Sequence, residues 1–358
     1  MPSGAAGQRE RDARRASHGS HAANQESDAD LAPPGGALVL PHDRRLVVPV
    51  VSGSGGVGRT TVAALLAAAL QRRTIAAPGD TRGTALLDCG ARGGTPWPAW
   101  VSAPASGGTG TLAGYRGSAA AADADLAQLT DAATSHLALG GPDPLWVLTD
   151  TGPASGSFLG ADPGPRWWLP VLPSTRVAVV DGDALEGARL AAQVVGGPVS
   201  VIGSWFATPF LNTAAVWVTD TGEGSLQRTM DALTCIAELR MPIDRIVVAL
   251  VDRRGARRRG GSALPEGWRE LIVPRVGALV GLGHDRASAE QGGRPALDPA
   301  ALDRPDVVAL VRAVVQAARL IWVEEGRPYA SEAALDLPAP GGEMAEMLLR
   351  QAGRAALR

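Results

Sequence analysis

The chain has 358 residues, 45% of them hydrophobic and 20% charged, so it carries enough apolar surface for one large or two modest cores. A formal net charge of −2 excludes whole-molecule attraction to nucleic acid or an anionic membrane, leaving any such contact to a local patch. Two cysteines, Cys89 and Cys235, exclude a disulfide framework, and with no lysine in the sequence the 34 Lys-plus-Arg charges are all arginine.

Residues 1–43 are rich in Ser, Gly, Ala, Asp and Arg, broken by Pro33-Pro34-Gly35-Gly36, and are expected to be disordered. Arg9, Arg11, Arg14 and Arg15 precede no apolar stretch, so no signal peptide is expected. No apolar run reaches the roughly 18 residues of a membrane span, so no transmembrane segment is expected. The two cysteines, without metal-ligand spacing, fit a reducing, cytoplasmic setting. Order is expected from Leu46, where Leu46–Val51 suits a buried parallel strand. A glycine-rich turn follows, then a buried helix over Thr60–Leu70. Further strands are expected at Thr84–Asp88, Leu145–Thr149, Arg176–Val180, Ala214–Thr219, Arg245–Val251 and Glu270–Val273. Helices are expected at Ala184–Val195, Gly224–Leu239 and Asp306–Trp322. Strands alternating with helices imply an α/β fold: a mostly parallel twisted sheet flanked by helices in three layers. Residues 91–120 and 152–173 read as loops. The expected organisation is one domain over 44–325, then a linker and terminal helix over 326–358.

Between the first strand and first helix lies Gly53-Ser54-Gly55-Gly56-Val57-Gly58-Arg59-Thr60-Thr61, which fits G-x-x-x-x-G-K-[ST] except that Arg59 replaces the lysine. Glycines let successive N–H groups turn inward around phosphate oxygens, and the helix adds its positive N-terminal end. Thr60 offers a hydroxyl for Mg²⁺, and Arg59 falls where lysine meets the β- and γ-phosphates. Arginine is a broad planar fork rather than a compact point charge, so the exchange alters the site. Without a ligand the same run is an ordinary strand-to-helix turn.

Ser54–Thr61 resembles the deviant Walker A motif, K-G-G-V-G-K-T-T, of ParA/MinD-type ATPases. Leu86-Leu87-Asp88-Cys89-Gly90 is similar to that family's L-[IV]-D-x-D, and Val177–Asp181 to its strand ending in the Walker B or switch II aspartate. Asp252 falls at the adenine-contacting Asn, and Ile272-Val273-Pro274-Arg275 resembles the base-binding I-P-x-D loop. The resemblance implies a P-loop fold binding ATP and Mg²⁺, with Thr60 and Asp181 at the metal and Arg59, Asp88 and Asp181 at the chemistry. It also implies a homodimer with nucleotide between subunits, slow hydrolysis, and work on a partition, positioning or secretion machinery. The family's signature lysine is Ser54 here, and its water-orienting acid is Gly90. Both departures point toward impaired hydrolysis, or toward a catalytically inactive pseudo-ATPase scaffold. A ligase on the related fold would need a pocket of convergent polar residues, and the sequence identifies none.

Asp150, in Asp150-Thr151-Gly152-Pro153, is an alternative to Asp181 as the metal acid, and either aspartate also suits a cap or turn. Arg253, Arg254, Arg257, Arg258 and Arg259 form a basic loop suited to sequence-independent DNA phosphate contact, or simply to solvent. Trp97, Trp100, Trp167 and Trp168 suit an interaction surface or buried packing.

Overall fold

The computed structural model describes residues 31–41, 44–76, 80, 82–89, 97, 135–137, 145–148, 175–182, 184–208, 211–252, 264–265, 267–284, 297 and 299–329. Twelve strands form two sheets among these residues. The larger contains β2 (Leu46–Ser52), β4 (Gly83–Asp88), β5 (Ser135–Leu137), β6 (Leu145–Leu148), β7 (Thr175–Asp181), β8 (Asn212–Thr213), β9 (Ala215–Asp220), β10 (Ile246–Val251) and β11 (Ala278–Leu282). Its order is β11-β10-β9-β2-β7-β4-β6-β5, with β8 also beside β2. Every pairing in it is parallel except β5 with β6. This is the expected three-layer α/β architecture.

Alternation along the central strands explains the layers. Leu46, Val48 and Val50 of β2 face one core, built with α1 (Arg59–Arg73) and α7 (Pro305–Ala317). Val47 and Val51 face the other core, with α2 (Glu186–Val194), α3 (Val201–Phe206), α4 (Glu223–Glu238) and Ile272 of α5 (Trp268–Ile272). A short α6 (Pro299–Leu302) precedes α7. Pro49 lacks an N–H, and it sits where the ladder is interrupted: β8 pairs with Leu46 and Val47, whereas β9 pairs only from Val50 onward.

The smaller sheet corrects the expected N-terminal boundary. β1 (Ala37–Leu40) lies inside the segment read as disordered, yet all four of its residues are buried. It pairs in parallel with β3 (Thr74–Ala76) and antiparallel with β12 (Ile321–Val323). A bridge from Leu31 to Pro328 closes the seam, so described structure extends past the expected boundary at 325. Arg73, itself 2% exposed, clamps the join by donating to the Pro34 and Gly36 carbonyls and pairing with Asp303.

Two further expectations change. Glu270–Val273 is not a strand: it falls in α5 and in the 3-10 turn Val273–Arg275, and the strand is β11 instead. The last helix stops at Ala317, and Ile321-Trp322 belong to β12, after Arg319 takes a left-handed φ of 59°.

Candidate functional site

The carboxyl ends of β2, β4, β7, β9 and β10 share one edge of the sheet, because these strands run parallel in register. The chain crosses from one side of β2 to the other between β7 and β9, which makes β2 the switch point where ligands bind in such sheets. Gly53–Gly58 leaves β2 at that point and enters α1 at Arg59.

The loop's geometry depends on two glycines in the left-handed region, Gly56 at φ 70° and Gly58 at φ 87°. Gly58 is also the α1 N-cap, where no side chain caps the helix and no acid occupies the first turn. Val57 is buried and anchors the loop, while Gly55 and Gly56 are exposed to solvent. Ser52 Oγ donates to the Ser54 carbonyl at 2.9 Å, fixing the first bend. Ser54 Oγ accepts from Arg228 Nε of α4 at 2.6 Å. An arginine of this same chain therefore contacts Ser54, the residue at the position where the resemblance has a lysine.

Arg59 does not extend alone. Its Nε donates to Asp181 Oδ1 at 2.9 Å, and its Nη2 donates to Thr60 Oγ1 at 3.3 Å. Asp181 is fully buried, and its Oδ2 accepts from Trp97 Nε1 at 2.8 Å. Both oxygens of that carboxylate are thus engaged, one by a cation and one by an indole. Asp88 is the register partner of Asp181 on the adjacent strand and is likewise buried. Asp252 lies at the end of β10 on the same edge, its N–H bonded to the Leu282 carbonyl at 2.9 Å.

The sequence therefore collects Gly53–Thr61, Asp88, Asp181 and Asp252 at one edge, but Pro274 is not with them. Pro274 sits in the turn before β11, and Gly277 N–H bonds the carbonyl of Ile246, the first residue of β10. That places Pro274 toward the opposite end of the sheet from the loop. The segment that leaves β11 on the loop's side begins at Gly283, whose N–H donates to Asp306 Oδ2 at 2.8 Å. Asp150, Gly90, Arg253–Arg259, Trp100, Trp167, Trp168 and the terminal helix expected over 343–358 lie outside the described residues.

Thr60 and Asp181 are the residues assigned to Mg²⁺. Mg²⁺ takes oxygen ligands in near-ideal octahedral geometry. Here N–H donors of a guanidinium point at both oxygens a metal would use, and an indole holds the other carboxylate oxygen. As arranged, the site does not fit Mg²⁺. Among the described residues there is no group of three or more His, Cys, Asp or Glu placed to hold a metal ion. Nor is any described helix long and apolar enough to cross a membrane.

Comparison with known proteins returns no matching family model and no matching curated protein. Among solved structures, the chain is similar to a ParA family ATPase from Chlorobium tepidum TLS, with 18% identity, 77% of this chain and 98% of that one covered, and a TM-score of 0.46. It is similar to the cell division ATPase MinD of Pyrococcus furiosus at 20% identity, covering 76% and 96%, with a TM-score of 0.42. It is also similar to a Cyanothece McdA variant in complex with ATP at 14% identity, covering 79% and 99%, with a TM-score of 0.42.

Proposed function

We propose that this chain binds ATP through Gly53–Thr61 and acts as a nucleotide-dependent switch of the ParA/MinD kind, with slow or impaired hydrolysis. The observation that carries the proposal is the loop itself: a glycine-built turn at the sheet's switch point, opening onto an uncapped α1. In this reading backbone N–H groups hold the phosphates, and Arg59 and Arg228 supply positive charge. Asp252 faces the base end. Dimerisation around nucleotide, a cytoplasmic setting, DNA contact through Arg253–Arg259 and a partition or secretion partner belong to the same proposal through the sequence resemblance.

Hydrolysis needs a positioned water and charge compensation at the γ-phosphate. Ser54, Arg59 and Gly90 each alter one of those roles. The ion pair between Arg59 and Asp181 favours a second reading, a pseudo-ATPase scaffold that binds nucleotide without turnover.

The test is titration with a fluorescent ATP analogue, combined with phosphate release measured with and without duplex DNA. Saturable binding weakened by Arg59→Ala, with slow release that DNA accelerates, supports the switch. Saturable binding without release supports the scaffold. Equally negligible binding by both proteins would sink the nucleotide role.

A further inference from the structure

Two different charges have a claim on the oxygens of Thr60 and Asp181, a divalent metal ion and the Arg59 guanidinium. We propose that this site takes the phosphate tail of a nucleotide without a divalent cation, the Arg59 guanidinium standing where the metal would. The proposal rests on the reading of Gly53–Thr61 as a phosphate loop and names the ionic form of its ligand.

Thr60 Oγ1 and the Asp181 carboxylate are the two protein groups a metal beside this loop would use, directly or through water. Arg59 donates to both, from Nη2 and from Nε. The pair is enclosed: the Arg59 side chain is 13% exposed and Asp181 is 0% exposed. A metal entering here would have to displace a like-charged group from a carboxylate shielded from solvent, where charge interactions are screened least. Trp97, 3% exposed, fixes the other face of the carboxylate with its indole N–H. Rotating Asp181 toward a metal would therefore strand a buried indole donor as well as a guanidinium.

The guanidinium is suited to do more than block. It has five N–H donors, and the bonds to Asp181 and Thr60 use two of them. Its charge is diffuse and permanent, and arginine recognises phosphate by directional hydrogen bonds. Arg228, held at Ser54 on the loop's first bend, adds a second arginine at the same entrance. Beside a glycine-built turn and a helix end with no side-chain cap, these two guanidinium groups supply positive charge that a phosphate tail would otherwise take from a metal.

The experiment is equilibrium binding of a fluorescent ATP analogue to the full chain, in Mg²⁺ buffer and in excess EDTA, for the wild type and Arg59→Lys. The expected result is wild-type affinity equal in the two buffers to within about threefold. Arg59→Lys, which withdraws the fork from Thr60 and Asp181, is expected to make binding Mg²⁺-dependent by about tenfold. Wild-type affinity that falls about tenfold or more in EDTA would overturn the proposal while leaving the phosphate loop standing. Absence of binding in both buffers would overturn the phosphate loop and this proposal together. Arg59→Lys binding that remains indifferent to Mg²⁺ would show that the guanidinium is not what excludes the metal.

Discussion

Arg228 Nε donates to Ser54 Oγ at 2.6 Å across 174 residues of sequence, fastening the exposed face of α4 to the first bend of the glycine loop. An exposed arginine contributes little to folding, so Arg228→Ala is expected to change stability by no more than about 0.5 kcal/mol. It is expected to weaken ATP binding by about 1 kcal/mol, roughly fivefold in Kd, because the proposed site loses one of its two arginines. Denaturant unfolding and equilibrium binding on the same variant check both halves. Unchanged affinity would remove Arg228 from the site.

Asp181 is fully buried between Arg59 and Trp97, so its removal leaves a partly buried cation and a buried indole N–H without their acceptor. Asp181→Ala is expected to cost about 3 kcal/mol in unfolding free energy. A wild-type melting curve for this variant would contradict the observed pairing. The corresponding charge removal at Asp220, half-exposed at the end of β9, is expected to cost far less.

The first sheet makes a different prediction. Deleting residues 1–43 removes β1, whose four residues are all buried, and withdraws the Pro34 and Gly36 carbonyls from Arg73. Stability is expected to fall by several kcal/mol, since burying one Val or Leu side chain is worth about 1.5–3 kcal/mol. Arg73→Ala is expected to cost about 1–3 kcal/mol by taking this donor from the Pro34 and Gly36 carbonyls, while Asp303 keeps its bond from Arg72. Urea midpoints of the two proteins against wild type test this. A truncation as stable as the full chain would mean β1 contributes nothing to the fold.

Acid sensitivity follows from two aspartates. Burial alone would raise the carboxyl of Asp306, but bonds from Arg304, Gly283 N–H and Val307 N–H outweigh it and hold it below the ordinary value of 3.8. Asp80 is held low in the same way, burial opposing and the Arg82 fork prevailing. A carboxyl more acidic when folded than when unfolded stabilises fully above its unfolded value, and that stabilisation is lost as pH falls through the folded value. Stability is therefore expected to drop below about pH 4, with a shallower acid limb in Asp306→Asn. An acid limb of wild-type slope in the variant would remove Asp306 as a cause.

How much of this was legible in the sequence depends on range. The β2-loop-α1 unit was readable because an apolar run, four glycines and an Ala/Leu helix are contiguous. β1, β3 and β12 were not, since runs of three or four residues show no period and acquire meaning only by pairing with one another. The runs Leu271-Ile272-Val273 and Ala278–Leu282 look alike in sequence. Only the second pairs with β10, and following the first carried Pro274 to the wrong end of the sheet. Trp97 reads as surface or packing in sequence, and nothing in its spacing announces a bond to a carboxylate 84 residues away. Arg228 gave no signal at all, because its role comes from where α4 docks.

The most direct test of the central claim is backbone amide hydrogen exchange with and without ATP. Phosphate held by the loop is expected to slow exchange at residues 53–61 and in the first turn of α1, leaving β1, β3 and β12 unchanged. Exchange at 53–61 that is the same with saturating ATP as without it would contradict the claim that this loop is where nucleotide binds.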